Sequence, residues 1–371
     1  MKQIVFFLAL LPFVIFGVTP PHYHRTPSPP YISGDGFRDF ADFAYDELDM
    51  SLNPAQVQEG NTIFVKNEML KAFFESVHPH IEHPYILITH NSDDPAPGPF
   101  ASYLDDPKLI AWFGHNGDAK HPKFTLLPMG IANKEWPFGN IDALKKVIDA
   151  KDSYPKTHLL FMNFTIQNNY HERFPLFRMF GYVPYCYRTG KRLFNLYLTD
   201  LIASKFVLSP RGIALDTHRA WESVYIGTYP IVRSSSIDGI YEDLPFLVVK
   251  KWEEVNEEFL KQKYEEMQKK TYKMEKLNLD YWINKIKAAK EAYFKAKQEA
   301  EEARQKEELR KQEEAKKLAE AKRLQEEKKA AEAKKAEEAK RAASEAEKAK
   351  KAAAEAEKAK KTAAEKPKSA T

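Results

Sequence analysis

The chain has 371 residues, with 57 lysine and arginine side chains against 53 aspartate and glutamate side chains. This near-balance argues against a dedicated nucleic-acid-binding protein, in which basic residues are usually concentrated on one face. Cys186 is the only cysteine, so an intrachain disulfide and a cysteine-rich zinc site are both excluded.

The first 18 residues have the pattern of a secretion signal. Lys2 precedes an apolar run over residues 4–16, and Gly17 follows it. A basic start with a short apolar core is typical of a signal peptide, whereas a spanning helix needs roughly 20 apolar residues. We predict a signal peptide over 1–18. A signal-anchor that tethers the protein to a membrane through residues 4–18 is one alternative, and a buried helix is another. The protein is then expected in the lumen of the secretory pathway (as in the Golgi), on a membrane, or outside the cell.

Residues 19–57 are predicted to form a stem and a lead-in to the folded part of the chain. Five prolines lie between residues 19 and 30. Such a density excludes a regular helix or a central strand. An extended, proline-rich linker is therefore expected at the start of this segment.

Short apolar runs alternate with helical patterns over residues 58–152, the expected N-terminal, acceptor-side lobe. Strands are predicted at 85–89, 109–113 and 124–127, and helices at 68–75 and 142–150. Strands that alternate with helices predict a parallel sheet covered on both faces.

The alternation continues over residues 153–283, which we predict to be a C-terminal, donor-binding lobe. Strands are expected at 159–164, 206–208, 230–232 and 246–249, and helices at 193–204, 217–226 and 252–277. The boundary between the two lobes is placed near residues 151–156. The fold class is therefore α/β with two lobes in tandem.

The remaining segment, 284–371, consists almost entirely of Ala, Lys, Glu, Gln and Arg. These are strong helix formers, and Glu and Lys four residues apart support a helix further. Alanine offers little apolar area for a coiled-coil seam. The sequence AASEAEKAKK at 342–351 is nearly repeated as AAAEAEKAKK at 352–361. We predict a long charged helix that acts as a stalk, as a spacer, or in self-association or binding of a protein partner.

One segment of the second lobe combines a strand, a loop and a helix. Residues 206–212 end a strand and enter a loop. Asp216 or Thr217 can cap the helix that follows, and Gly227 can end it in a left-handed turn. In a strand–helix–strand unit of this kind, a ligand is expected beyond the carboxyl end of the strand.

The same junction has the character of an anion site. A helix N-terminus offers free N–H groups and the positive end of the helix dipole. Arg211 and Arg219 add guanidinium groups suited to phosphate oxygens. Glu222 lies three residues after Arg219 on the same helix face, where it can accept two hydrogen bonds from a ribose diol. These features meet the needs of a sugar nucleotide, and a plain salt bridge between Arg219 and Glu222 is the alternative.

The motifs S-P-R-G, H-R-x-W-E and G-x-x-P-I-V follow one another over residues 209–232, and Y-E-D-L-P at 241–245 and Trp252 come after them. Their order and spacing resemble the C-terminal half of exostosin-like glycosyltransferases. Residues 83–133 look like the N-terminal lobe of the same family. The resemblance covers about residues 64–252 and leaves out the leader and the tail.

This resemblance implies a GT-B fold, in which two Rossmann-like lobes face each other with the donor on the second lobe and the acceptor near the first. It also implies a nucleotide-sugar donor as co-substrate, no other cofactor, and a glycan or glycoprotein acceptor. There is no Asp-x-Asp motif in either lobe, which fits a metal-independent donor site. An inverting transfer is a separate expectation. By resemblance, Arg211, Arg219 and Glu222 map to donor-binding positions. Ser209, Gly212 and His218, which stand in the same motifs, are further donor-binding candidates.

The loop departs from the family pattern at Ile213, Ala214 and Leu215, where relatives often have Gly or Asn. Larger side chains leave less room for the backbone to approach a phosphate. This departure keeps a second interpretation open, in which the protein is a non-catalytic relative that binds a sugar nucleotide or a glycan. A third is an interaction protein that acts through its helical tail.

Two residues after the strand at 85–89 are candidates for the catalytic base. His90 and Asp93 follow a buried strand of the first lobe, and an inverting enzyme needs a group that accepts the proton of the acceptor hydroxyl. The alternative is that residues 91–93 form a simple polar turn before the prolines. Prolines also interrupt the histidines at 78, 80 and 83, so no metal site is predicted.

Overall fold

A computed structural model describes residues 25–364, with side chains for residues 25–361. The predicted signal segment 1–18 lies outside the described residues. No helix in the described range is both long and apolar enough to cross a membrane. The chain divides into two units, the first ending at Tyr293 and the second beginning at Phe294.

The described strands and helices alternate along the first unit. The strands are β1 (Phe43–Tyr45), β2 (Thr62–Lys66), β3 (Tyr85–His90), β4 (Leu109–His115), β5 (Phe124–Leu127), β6 (His158–Met162), β7 (Cys186–Arg188), β8 (Ser204–Leu208), β9 (Tyr229–Arg233) and β10 (Leu247–Val249). The helices are α1 (Gly34–Phe40), α2 (Leu70–Ser76), α3 (Ile141–Ala150), α4 (Tyr170–Phe180), α5 (Phe194–Ile202), α6 (His218–Tyr225), α7 (Glu257–Gln268) and α8 (Leu279–Ala364). The predicted mixed α/β fold with two sheets and a long C-terminal helix is confirmed.

The first sheet has the strand order β1-β2-β3-β4-β5, and every pairing in it is parallel. All six residues of β3 are buried, because this central strand is covered on both faces. The predicted strands at 85–89, 109–113 and 124–127 are present. Two short strands, β1 and β2, extend the sheet, and β1 lies within the segment that we expected to be a lead-in.

The second sheet is also parallel throughout but has the order β10-β9-β8-β6-β7. The chain runs from β6 to the edge strand β7 and returns to β8 on the other side of β6. The order of strands therefore reverses between β6 and β8. Such a switch point leaves a crevice at the carboxyl ends of the two strands, where open α/β sheets bind their ligands.

One hydrophobic cluster spans both lobes, and each lobe has a further cluster of its own. Helix α3, which follows the first sheet, packs against α5 of the second lobe. Buried residues of both lobes belong to the same cluster, as Phe113 and Val207 illustrate. The Tyr225 hydroxyl, in α6, accepts a hydrogen bond from the Ile32 backbone N–H at 3.0 Å and lies 2.6 Å from the Leu277 carbonyl. The lobes thus form one body.

Residues 25–30 form neither a helix nor a strand, as the prolines predict, yet they contact the folded body. Arg25 forms ion pairs with Asp35 and Glu47. The Leu279 backbone N–H donates to the Pro30 carbonyl at 2.9 Å. The described end of the predicted stem is therefore packed against the first unit.

Helix α8 begins at Leu279, before the predicted start of the tail. Leu279, Trp282 and Ile286 are buried because their spacing of three and four residues places them on one helix face. In the second unit, the described side chains of the helix are exposed, including Leu309 and Leu318. Glu–Lys and Glu–Arg pairs along its surface support the helix, although each exposed pair stabilises it only slightly.

Candidate functional site

A cavity of about 1070 Å³ lies between the two lobes. Most of its second-lobe wall comes from residues within 163–168, 188–194 and 212–219, at the carboxyl ends of β6, β7 and β8, and side chains of α4, α5 and α6 complete it. Residues of the segment 129–138 and Asp93, which follow strands of the first sheet, line the opposite wall. The cavity therefore occupies the switch point of the second sheet and has the size of a cofactor-binding cleft.

Positive charge predominates on the cavity wall. The cationic lining residues are Arg173, Arg188, Lys191, Arg192 and Arg219, and the acidic ones are Asp93, Asp216 and Glu222. Cations therefore outnumber carboxylates in a partly enclosed space, which favours a ligand with negative charge.

Arg173, in α4, is the most buried of these cations, with 4% of its surface exposed. Its guanidinium donates three hydrogen bonds to main-chain carbonyls, from Nε to Arg211 at 3.0 Å, from Nη1 to Thr165 at 2.8 Å and from Nη2 to Pro210 at 3.1 Å. Among the described residues, none forms an ion pair with Arg173. Burial lowers the pKa of Arg173 to about 10, the charge of Arg219 lowers it too, and Glu172 raises it. A buried cation without a bonded counter-ion is costly, so an anionic ligand here would be strongly favoured.

Gly212 leaves the space that the Arg173 guanidinium occupies. A Cβ atom at position 212 would lie 3.1 Å from Arg173 Nη2. The Gly212 carbonyl accepts a hydrogen bond from Asn169 Nδ2 at 3.0 Å, which ties the loop after β8 to the start of α4. The small residue at position 212 thus packs closely against a cation that the sequence analysis did not identify.

Helix α6 begins at the cavity wall without a side-chain cap. Thr217 occupies the N-cap position but makes no capping bond, and its Oγ1 is buried without a partner among the described residues. Asp216 accepts four hydrogen bonds, from Met129 N, Thr217 N, Trp221 Nε1 and Tyr241 Oη. The expectation that one of these side chains caps the helix is corrected, because the Asp216 carboxylate joins the lobes instead. The Ala220 N–H donates to the Thr217 carbonyl at 3.0 Å, whereas the N–H groups of His218 and Arg219 have no partner among the described residues and remain available to a ligand.

Arg219 and Glu222 project from α6 to the same cavity. Glu222 is buried and its Oε2 accepts a hydrogen bond from the Tyr197 hydroxyl at 3.0 Å. Burial raises the pKa of Glu222 to about 7, against the opposing effects of Tyr197 and Arg219. The Nε atom of Arg219 is buried and has no hydrogen-bond partner among the described residues. Arg219 and Glu222, both within the described residues, form no direct salt bridge with each other.

His218, the first residue of α6, links the second lobe to the first. Its Nδ1 lies 2.8 Å from the Gly130 carbonyl, and its ring packs edge-on against Trp136 with 5.6 Å between ring centroids. Burial lowers the pKa of His218 to about 4, and His115 lowers it too, while the bond to Gly130 raises it. The imidazole is therefore neutral at pH 7.

The structure brings four of the six predicted donor-binding residues to the cavity, namely Gly212, His218, Arg219 and Glu222. Ser209 is buried away from it, and its backbone N–H donates to Ile231 at 2.9 Å. Arg211 lies on a second cavity of about 310 Å³. Its Nε donates to Glu172 Oε2 at 2.7 Å, and Arg233 Nη2 donates to the same oxygen at 2.6 Å. Adjacent residues of the loop thus face different cavities.

The two candidate bases have different surroundings. Asp93 lines the main cavity with its side chain open to solvent, and partial desolvation by the cavity wall, together with the charges of Asp94 and Glu68, raises its pKa. His90 is buried, with Nε2 3.1 Å from the Pro128 carbonyl and Nδ1 accepting the Asn91 N–H at 2.8 Å. Both its ring nitrogens are therefore engaged away from the cavity. Within the turn, it is the Ser92 hydroxyl that accepts a backbone N–H, from Asp94 at 3.1 Å.

Several lining residues were not identified from the sequence. Arg173, Tyr197 and Trp136 lie far from the H-R-x-W-E motif along the chain, and only the fold brings them to it.

His78 is one of the three histidines for which no metal site was predicted. Its ring nitrogens lie 2.9 Å from the Tyr85 hydroxyl and 3.2 Å from Asp106 Oδ2. No group of three His, Cys, Asp or Glu side chains that could hold a metal occurs among the described residues.

No family model matches the chain, and no curated protein matches it significantly. The interpretation of the cavity therefore rests on its own residues and on the motifs that line it.

Proposed function

We propose that the protein is a GT-B glycosyltransferase of the exostosin-like kind, which transfers a sugar from a sugar nucleotide bound in the main cavity to a glycan acceptor. The observation that carries the proposal is the pair of guanidinium groups, on Arg173 and Arg219, that face the switch point without a bonded carboxylate. The open N-terminus of α6 lies beside them. Together these groups suit a diphosphate, which is the feature that sugar nucleotides share.

The remaining lining residues fit the other parts of such a donor. Glu222 is held by Tyr197 and can accept hydrogen bonds from a ribose diol. When the bond between the sugar and the diphosphate breaks, negative charge grows on the leaving phosphate oxygen. Fixed cations and helix N–H groups stabilise that charge without rearranging, which is the largest contribution in many enzymes. We propose that the reaction inverts the anomeric carbon and that these cations neutralise the leaving group.

The test is a titration of the purified full-length protein with a panel of sugar nucleotides, followed by thermal unfolding. A ligand that binds only the folded state at a hundredfold excess over its Kd stabilises the protein by roughly 2.7 kcal/mol. We expect one nucleotide class to bind and Arg219→Ala to weaken it about a hundredfold, because a charge-assisted bond to phosphate is lost.

Arg211→Ala is the matched control, because Arg211 belongs to the same motif but faces the second cavity. Its side chain is 45% exposed and pairs with Glu172. We expect less than a threefold change in donor affinity for this variant. If no sugar nucleotide binds, or if both substitutions have equal effects, the proposed donor site is rejected.

A non-catalytic, ligand-binding relative is the second candidate. Ile213 stands where relatives often have a small residue, and it is 73% exposed at the cavity. A bulky side chain at this position narrows the entry of a donor to the cavity. Binding of a sugar nucleotide without any transfer or hydrolysis would favour this candidate, whereas turnover would exclude it. If truncation after Tyr293 abolished cellular function but not turnover, a role for the tail in binding a partner would be favoured.

A further inference from the structure

We propose that His218 is the catalytic base of the transfer and that the acceptor is a pyranose that stacks on Trp136 beside it. This inference rests on the proposed function and names the acceptor side of the same site. It replaces His90, whose ring nitrogens are both engaged within the first lobe, and it competes with Asp93, which lines the same cavity.

The contact with Gly130 fixes the proton on the imidazole. A carbonyl oxygen can only accept a hydrogen bond, so the Nδ1 atom, 2.8 Å away, must carry the hydrogen. In the neutral ring, Nε2 then has a free lone pair, which is the form required of a general base. Nε2 makes no hydrogen bond to any residue that the structure describes, and the ring lines the cavity.

The position of the Gly130 carbonyl is itself determined by the backbone. Gly130 has φ of +69°, a conformation that disfavours side chains, and a Cβ atom there would lie 2.2 Å from the Ile32 carbonyl. The Ile131 N–H donates to the same carbonyl of Ile32 at 2.8 Å. The orienting carbonyl is therefore held in place by close packing in the first lobe, although His218 belongs to the second.

His218 also lies where a base is needed. It directly precedes Arg219, and both side chains line the cavity that the donor is proposed to fill. Enclosure of the imidazole keeps it neutral at pH 7, as its lowered pKa indicates. A neutral base next to the diphosphate site can accept a proton from an acceptor hydroxyl that approaches the sugar from the first lobe.

The aromatic residues around His218 indicate the class of acceptor. Trp136, whose ring packs on the imidazole, is 38% exposed, and Phe138 is 51% exposed on the same wall. Phe138 lies 6.3 Å from Phe194 of the second lobe, measured between ring centroids. Exposed aromatic rings that line a cleft mark a ligand surface. Their flat apolar faces match the C–H faces of a pyranose, while His218 can bond to one of its hydroxyl groups.

The proposed transfer is a displacement at the anomeric carbon of the donor sugar. The acceptor oxygen forms a bond to the anomeric carbon of the donor sugar as the bond from that carbon to the diphosphate oxygen breaks. The hydroxyl proton moves to His218 Nε2, and the bonding electron pair leaves with the nucleoside diphosphate, facing Arg173 and Arg219. The imidazolium then releases its proton to solvent. No oxidant, reductant or further reactant is required.

The first test compares His218→Asn with wild type in transfer and in donor binding. The Asn side-chain amide can still donate to the Gly130 carbonyl but offers no basic nitrogen. We expect kcat to fall by about 10²- to 10⁴-fold, which is the usual contribution of a general base. Donor Kd should change less than threefold. His171→Asn is the matched control, because His171 is exposed on α4 at the second cavity, and it should keep wild-type kcat.

The second test asks whether an external base replaces the side chain. We expect added imidazole to raise the turnover number of His218→Gly at least tenfold and to leave that of wild type unchanged. Trp136→Leu should raise the KM for a pyranose acceptor about tenfold while donor Kd is unchanged. If His218→Asn keeps kcat within threefold, or if Asp93→Asn carries the larger loss, the inference is overturned. Absence of rescue by imidazole also overturns it, since it assigns His218 a structural role. If wild type transfers no sugar, the proposed function itself fails.

Discussion

The two lobes are built from the same kind of sheet but differ in what stands at the carboxyl edge. In the first sheet the strands follow in chain order, and a polar network fills the edge beside the part of the cavity wall formed by Asp93 and residues 129–138. Asn91 donates to Asp35 Oδ1 at 2.9 Å, Asn133 donates to Asn91 Oδ1 at 2.9 Å, and Asn133 Oδ1 accepts the Asp35 N–H at 3.0 Å. In the second sheet the order reverses and the edge is left open to a cavity. Similar sheets can thus be closed for stability or open for a ligand.

The largest effect should follow removal of the buried cation at the open edge. Arg173→Met keeps a long side chain but loses the charge and leaves three carbonyls without their donor. We expect donor affinity to fall at least a hundredfold. The free energy of unfolding should also fall by about 3 kcal/mol, at roughly 1 kcal/mol for each hydrogen bond. Calorimetric titration and denaturant unfolding give both values.

Arg188→Met, another arginine of the cavity wall, provides the comparison for this variant. It should weaken donor binding without a comparable loss of stability, because Arg188 makes no main-chain bonds like those of Arg173 in the described residues. If Arg173→Met changes stability but leaves donor affinity intact, the cation only supports the loop.

At the closed edge we expect the opposite pattern. Asn91→Ala removes the donor to Asp35 and the acceptor of Asn133, both buried, so the free energy of unfolding should fall by about 2–4 kcal/mol. Asn91 also has φ of +62°, which alanine adopts less readily than asparagine. Donor Kd should stay within twofold. Denaturant unfolding and titration measure the two quantities.

Asn140→Ala is the matched substitution for this prediction. Asn140 accepts a hydrogen bond from the Ala143 N–H at 3.0 Å as the exposed cap of α3, and its loss should cost only about 1 kcal/mol. A weakened donor affinity in Asn91→Ala would show that the two edges are not separate in function.

A smaller effect is expected from the ionisation of Glu222. Its raised pKa of about 7 means that the ionised form, which accepts hydrogen bonds from a diol, becomes dominant only above neutral pH. Affinity for a sugar nucleotide should therefore rise about tenfold between pH 6 and pH 8. His218 stays neutral over that range, since its pKa is about 4.

Ionisation of Glu222 affects the stability of the fold in the opposite direction to donor affinity. A carboxyl group whose folded pKa is raised binds its proton more tightly in the folded state, so its contribution to stability is lost as pH rises from 4.5 through 7. Glu222→Gln should abolish the pH dependence of donor binding and should be more stable than wild type above pH 7. A wild-type affinity that does not vary with pH would contradict the role of Glu222 as a diol acceptor.

The sequence predicted those features that depend on local pattern. Continuous apolar runs located strands such as β3 and β4, and the H-R-x-W-E motif located three residues of the cavity, at positions 218, 219 and 222. Helix α4 was missed because Pro175 interrupts its pattern, and Arg173 was missed with it. The Arg173 guanidinium is held by carbonyls of the loop after β8 and of the loop before α4. The spacing of residues in the sequence does not reveal such contacts.

The errors of assignment have the same physical origin. Arg211 and Gly212 are adjacent in sequence, but the Arg211 side chain turns to Glu172 at the second cavity while Gly212 lines the main one. His90 was expected directly after a strand, as a catalytic residue would be, but it ends β3 and α1 covers it. A Cβ atom at Gly34 would lie 2.5 Å from His90 Nδ1. That helix belongs to the segment that the sequence assigned to a lead-in, so its contact with β3 could not be anticipated.

The smallest effect on donor affinity is expected from a substitution at Gly212, where the loop after β8 packs closely against Arg173. In Gly212→Ala the new Cβ would lie 3.1 Å from Arg173 Nη2, so the guanidinium must move by a few tenths of an ångström. Gly212 does not have a positive φ, and alanine is therefore tolerated by the backbone. We expect a three- to tenfold loss of donor affinity with little change in stability, measured by titration. Gly190→Ala is the control, because a Cβ there meets nothing within 4 Å although the residue also lines the cavity. Equal effects of the two substitutions would mean that the position of Arg173, and hence the difference between the two edges, does not determine donor binding.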